Sequence, residues 1–207
     1  VGFGKEDRVA NTLFEKAQFL KKFPNLTDRK LILFVSRMHA KKGVDLLVKA
    51  FFAIAKAHPE YQLVMLGPDP DDFQSKLEAN VTEELARRVT WTGWVDSDEK
   101  WGAYALAEVF ALVSHSENWG AAVVEALLSG TPVLLSNKVN IWREVVDSEA
   151  GLVDDDTEDG AARLMVEWIS LDIDTKNRYA TQSRKCFEQN FDHKTASRRL
   201  LESIIKN

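Results

Sequence analysis

The chain is short of most features that place a protein quickly. It has a single cysteine in 207 residues, Cys186, so it offers neither a disulfide framework nor zinc-ligand spacing. No stretch approaches the roughly 18 consecutive apolar residues that a membrane-spanning helix needs. The first ten residues, VGFGKEDRVA, are charged early and lack an apolar core, so they do not read as a signal peptide. Positive charge is not in excess: 27 Lys and Arg face 32 Asp and Glu, a formal net charge of −5. That balance argues against broad binding to nucleic acid and allows only a local basic pocket. Internal repeats, low-complexity tracts, Gly/Ser linkers and clustered metal ligands are absent. What remains is 45% hydrophobic and 29% charged, ordinary for a globular domain. These absences predict a cytoplasmic protein without a metal.

What is present is an ordered alternation of strands and helices. Lys30–Val35, Tyr61–Leu66, Val89–Thr92, Val109–Val113, Pro132–Leu135 and Gly151–Val153 are short aliphatic or β-branched runs, the pattern of buried parallel strands. Helices are predicted between and after them at Val44–His58, Phe73–Arg88, Ser97–Ala107, Ala121–Leu128, Asn140–Val146, Thr157–Leu171, Asp174–Gln189 and His193–Ile205. This cadence predicts an α/β fold, a Rossmann-like doubly wound parallel sheet of about six strands with helices on both faces. Residues 1–29 read as a connecting lead-in with a partial helix around Thr12–Phe23, and residues 30–207 as one domain.

In such a sheet, ligands bind at the carboxyl edge of the strands. Two loops there carry chemistry. After the first strand, Arg37, Lys41, Lys42 and Gly43 form a basic loop. An arginine fork holds phosphate bidentately and lysine adds a mobile point charge; Lys41 reads as solvated. After the fourth strand come Glu117, Asn118, Trp119, Gly120 and Ala121, with Glu125 on the helix that follows. Carboxylates accept sugar hydroxyls, and free amides at a helix start suit phosphate. Trp119 also reads as a core aromatic. Glu125, on an otherwise apolar helix between two buried strands, needs a partner, and a ribose diol would supply one. In Val89–Val95, Trp94 and Val95 are placed to flank a base, although packing of both tryptophans in the core fits the same pattern. His115 suits either a phosphate contact or simple packing, and His39, His58 and His193 read as surface or cap residues. The acidic run Asp69–Asp72 reads as a solvated loop.

The chain from about Lys30 to Asn207 resembles the C-terminal, donor-binding half of a family 4 (group 1) glycosyltransferase of the GT-B fold. The resemblance is carried by Ser36-Arg37-Met38 with Lys42-Gly43, Leu66-Gly67-Pro68, Val89-x-Trp91-x-Gly93-Trp94-Val95, the paired Glu117 and Glu125, Gly130-Thr131-Pro132-Val133, and Glu144 with Ala150-Gly151-Leu152-Val153. It implies a retaining transfer of sugar from a UDP or GDP type donor to an acceptor such as a polysaccharide or glycolipid. By that resemblance, Arg37 and Lys42 hold the diphosphate and Glu117 binds the donor sugar, near amides of Asn118 to Ala121. Glu125 takes the ribose hydroxyls, and Gly67, Trp94 and Val95 border the nucleoside. No cofactor or divalent metal is implied. The implied partners are the nucleotide sugar and an N-terminal acceptor half lying outside this sequence, through which any peripheral membrane contact would run. Residues 1–26 would then be what remains of the interdomain connection, and the last helices would pack toward the other half.

The chain departs from the family pattern in two places. Val139-Asn140-Ile141-Trp142-Arg143-Glu144 replaces the frequent Gly-Gly turn, so donor sugar identity is not carried over, and Ser36 stands for a usual glycine. Alternative readings are an epimerase of the same fold, for which no additional acid/base residues stand out, and a non-catalytic nucleotide-sugar-binding module. A dinucleotide-dependent dehydrogenase is disfavoured, because no Gly-x-Gly-x-x-Gly follows the first strand.

Overall fold

The computed structural model describes residues 12–192; the start of the lead-in and the expected helix at His193–Ile205 lie outside them. Among the described residues there are six strands: β1 (Lys30–Val35), β2 (Tyr61–Leu66), β3 (Val89–Gly93), β4 (Ala107–Leu112), β5 (Val133–Ser136) and β6 (Gly151–Asp154). They form one parallel sheet in the order β3-β2-β1-β4-β5-β6. All six residues of β2 and five of six in β1 are buried, which is why these strands are continuous aliphatic runs rather than alternating ones.

The helices are α1 (Thr12–Lys22), α2 (Val44–Ala55), α3 (Phe73–Glu78), α4 (Glu83–Ala86), α5 (Ser97–Leu106), α6 (Ala121–Leu128), α7 (Trp142–Asp147), α8 (Glu158–Ser170) and α9 (Ile173–Asn190). They cover both faces of the sheet, as right-handed crossovers require. On one face α2 packs with α3 and α8; on the other lie α5 with α1, and α6 and α7 with α9. The α1–α5 crossing is close because Gly102 has no side chain: a Cβ there would stand 2.1 Å from the Glu15 carbonyl oxygen. Phe19 of α1 is fully buried, so this helix is part of the packed body. Among the described residues, no helix is long and apolar enough to cross a membrane.

Several expected boundaries move: β4 starts at Ala107 rather than Val109 and β5 runs Val133–Ser136 rather than Pro132–Leu135, and three helix boundaries move for a visible reason. The predicted helix Phe73–Arg88 is broken into α3 and α4, because the Thr82 hydroxyl accepts from the Leu85 amide and starts a new helix. Helix α2 stops at Ala55 rather than His58. There the Arg88 guanidinium receives the freed carbonyls, donating to Ala55 O at 2.9 Å and His58 O at 2.8 Å. Helix α7 begins two residues late, because the chain before it is held extended in a short parallel bridge between Val139 and Glu117, with the Asn140 amide donating to Glu117 O at 2.9 Å. At the amino ends of the strands, one Glu108 carboxylate oxygen collects the Tyr61 hydroxyl (2.6 Å), the Trp168 indole N–H and the Lys176 ammonium (both 3.0 Å). With Lys176 only 8% exposed, this is a buried and well-satisfied ionic cluster on the edge opposite the loops discussed next.

Candidate functional site

The sheet order reverses between β1 and β4, and at that switch point the loops after the two strands are stitched together. The Lys41 carbonyl accepts from the His115 amide at 2.9 Å and from the Ser114 hydroxyl at 2.7 Å. Gly43, in the left-handed region at φ 64°, lies so close to the Val113 carbonyl that a Cβ would stand 2.2 Å from its oxygen. Beside this seam, the Lys42 ammonium donates to Glu117 Oε2. The backbone of Glu117 is itself fixed: its amide donates to Lys138 O at 3.1 Å and its carbonyl accepts from Asn140.

Lys42, Glu117, Gly120, Ala121 and Glu125 line one cavity of about 300 Å³, walled also by Val35 and Ser36. Val35 and Ser36 are shared with an adjoining cavity of about 170 Å³, lined by Arg37, Gly67, Trp94, Val95 and Lys100. Arg37 is exposed and has no polar partner among the described residues. Trp94 is 80% exposed, an unusual surface for so large an apolar ring. Trp91, by contrast, packs against the core and donates its indole N–H to Glu78 at 2.8 Å. One tryptophan of the pair is therefore structural and the other faces the cavity.

The electrostatics are set by local contacts. Burial pushes the Glu117 carboxyl up, but the Lys42 hydrogen bond, the Gly120 amide at 3.2 Å, the Lys42 charge and the Trp119 amide outweigh it. The net result is a carboxyl held below its ordinary range. Those two amides serve Glu117, while the first-turn amides of Ala121 and Ala122 in α6 have no partner among the described residues. Helix α6 thus offers two free N–H groups and its positive dipole end to the larger cavity.

Glu125 is where the expectation from sequence needs correcting. Its carboxylate is not orphaned: Oε1 accepts from Lys100 Nζ at 2.8 Å and Oε2 from the Tyr104 hydroxyl at 3.0 Å. Burial and then the neighbouring carboxylate push the Tyr104 hydroxyl well above its usual pKa, so it stays protonated and donates. A carboxylate has about four lone-pair sites, so capacity for ligand hydroxyls remains. Lys100 and Tyr104 are the residues that sequence reasoning missed. Their spacing of four on α5 put them on one helix face, but nothing local tied that face to Glu125.

The remaining candidates are placed as follows. Asn118 is exposed. The Trp119 ring stands edge-on to Phe191, centroids 5.8 Å apart, and is not part of either cavity wall. The His115 Nδ1 lies 2.8 Å from Asp156 Oδ2, turned toward the β6 loop, and His39 caps the short turn before α2 by accepting from the Lys41 amide. Asp69, expected to be merely solvated, instead accepts from the first amides of α3, Phe73 and Gln74, both at 2.9 Å. No group of three or more His, Cys, Asp or Glu side chains able to hold a metal occurs among the described residues.

A parallel sheet with its order reversing at β1/β4 and helices on both faces defines a Rossmann-like, doubly wound α/β domain, and basic and acidic side chains converge on its switch-point edge. The chain belongs to the glycosyl transferases group 1 family, whose pattern matches residues 15–186. Among solved structures, it is similar to the C-terminal domain of a group 1 glycosyl transferase, LpcC, from Francisella tularensis, with a TM-score of 0.74 and 20% identity over 84% of this chain and 93% of that one. It is likewise similar to Anabaena HepE in complex with UDP, at TM-score 0.80 and 19% identity, covering all of this chain and 56% of that one. Both likenesses speak to the fold, one half of the GT-B architecture. Among curated proteins, a GDP-mannose-dependent alpha-(1-6)-phosphatidylinositol monomannoside mannosyltransferase of Mycolicibacterium smegmatis is 24% identical over 96% of this chain and 53% of its own length. The first curated relatives are covered by this chain over 32% to 53% of their length.

Proposed function

We propose that this chain is the donor-binding half of a retaining glycosyltransferase that takes a nucleotide diphosphate sugar of the UDP or GDP type. The acceptor, of the polysaccharide or glycolipid kind, would be presented by a second half, and the two together would transfer sugar in the cytoplasm. The observation that carries this reading is the convergence of Lys42, Glu117, Glu125 and the free α6 amides on one cavity, with Arg37 and Trp94 in the next.

Each group has a task in that reading. Arg37 and Lys42 neutralise the diphosphate as it leaves, where charge develops and preorganised cations help most. Lys42 has three donors, so it keeps Glu117 while engaging a phosphate oxygen. Glu117 accepts donor-sugar hydroxyls, Glu125 accepts ribose hydroxyls, and Gly67, Trp94 and Val95 bound the base. The two cations and the α6 N-terminus take over the role a divalent metal plays elsewhere. The site lies between two halves, so one half alone binds donor and transfers little.

Calorimetric titration with UDP, GDP and ADP, without metal and then with magnesium, tests the reading. Selective micromolar-to-millimolar binding, indifferent to magnesium, is expected. Arg37→Ala should weaken it about 10- to 100-fold, the value of one or two charge-assisted bonds. Unchanged affinity in that variant removes Arg37 from the site. Turnover of a nucleotide sugar by the protein joined to its acceptor half separates a transferase from a sensing module.

A further inference from the structure

The side chain of Lys100 links the two cavities. It lines the smaller one beside Arg37 and Trp94, and its ammonium is bonded to Glu125 in the wall of the larger one. The side chain is 28% exposed, and the ammonium lies 5.0 Å from the Trp101 ring centroid. It is therefore a partly desolvated, doubly steadied cation rather than a free surface lysine. An ammonium has three N–H donors, and Glu125 uses one.

A nucleoside with its ribose on Glu125 and its base against Trp94 and Val95 must pass this ammonium. We propose that Lys100 is a specificity-determining residue that donates to a base carbonyl and so selects nucleoside diphosphates of oxo bases over those of adenine. The proposal rests on the donor-site reading above. Uracil and guanine carry carbonyl oxygens on their edges, whereas adenine carries none. A charge-assisted bond in a partly dry cavity is strong, so one such contact is enough to discriminate.

The test is Lys100→Met titrated with UDP, GDP and ADP beside the unaltered protein. The oxo-base diphosphate preferred by the unaltered protein should lose about tenfold, as expected for one charge-assisted bond, with ADP changed less than about twofold. Equal losses for all three would show that Lys100 acts only by holding Glu125, and no loss would place it outside the site; either overturns the proposal. If Lys100→Met does not fold, as judged by its melting, Lys100→Ala carries the same comparison. An unaltered protein that binds none of the three overturns the nucleotide reading itself, whereas failure confined to the Lys100 variant leaves that reading standing.

Discussion

Gly43 and Gly93 share nearly the same backbone conformation, φ 64° and 61°, and differ in what surrounds them. A Cβ at Gly93 would meet nothing within 4 Å, whereas one at Gly43 would press 2.2 Å from the Val113 carbonyl oxygen. Substituting alanine at Gly93 therefore costs only the left-handed backbone term, about 1–2 kcal/mol. At Gly43 the same term applies, and the Val113 carbonyl must also retreat by about 0.8 Å in a close-packed interior. Overpacking of that kind adds about 1–3 kcal/mol. For a domain of this size, 1 kcal/mol moves Tm by about 2–4 °C. Gly93→Ala should thus lower Tm by about 2–8 °C, and Gly43→Ala by about 2–12 °C more. Thermal melts of the two variants, recorded by circular dichroism under identical conditions, make the comparison. Equal losses within about 2 °C, the low end of that conversion, would refute the claim that the β1 and β4 loops meet without slack.

Glu125→Gln should weaken binding of a ribonucleoside diphosphate more than of its 2′-deoxy analogue; equal losses would place this carboxylate away from the 2′-hydroxyl. The Glu117 carboxyl, held low in the fold, contributes stability at neutral pH that is lost as pH falls through its folded-state value. Lys42→Met should move its NMR-detected midpoint upward, and an unmoved midpoint would mean that the ion pair does not set it. Lys176→Met strips the ammonium from the buried Glu108 cluster and should cost about 3 kcal/mol in urea unfolding while leaving nucleotide affinity intact; a change in affinity would contradict the placement of that cluster on the far edge.

How much of this was legible in the sequence follows from what is local. The strands were, because a run such as KLILFV can only be buried on both faces, and Gly-Thr-Pro after α6 closes a helix by its own backbone chemistry. The break between α3 and α4 was not, since Thr82 reads equally well as a mid-helix residue until its hydroxyl is seen capping. In the site, Arg37, Lys42, Glu117 and Glu125 stood out as charges beside buried strands. Their mutual contacts did not, because Lys42 and Glu117 are 75 residues apart and Lys100 and Glu125 are 25 apart. Glu125 looked partnerless for the same reason: its donors sit on another helix.

The sheet order also governs when a binding site can exist. Strands β1, β2 and β3 pair with near neighbours along the chain, but β4 joins them only by closing a long loop onto β1, a slow and late kind of contact. The basic loop belongs to the first unit and the acidic loop to the second. Either half alone has no site, because the seam at Lys41, Gly43 and Val113 needs the β1 and β4 loops together. A nucleotide would therefore recognise the finished sheet and nothing before it. It should slow unfolding far more than it hastens folding, acting as a latch on the last step rather than a template for the first.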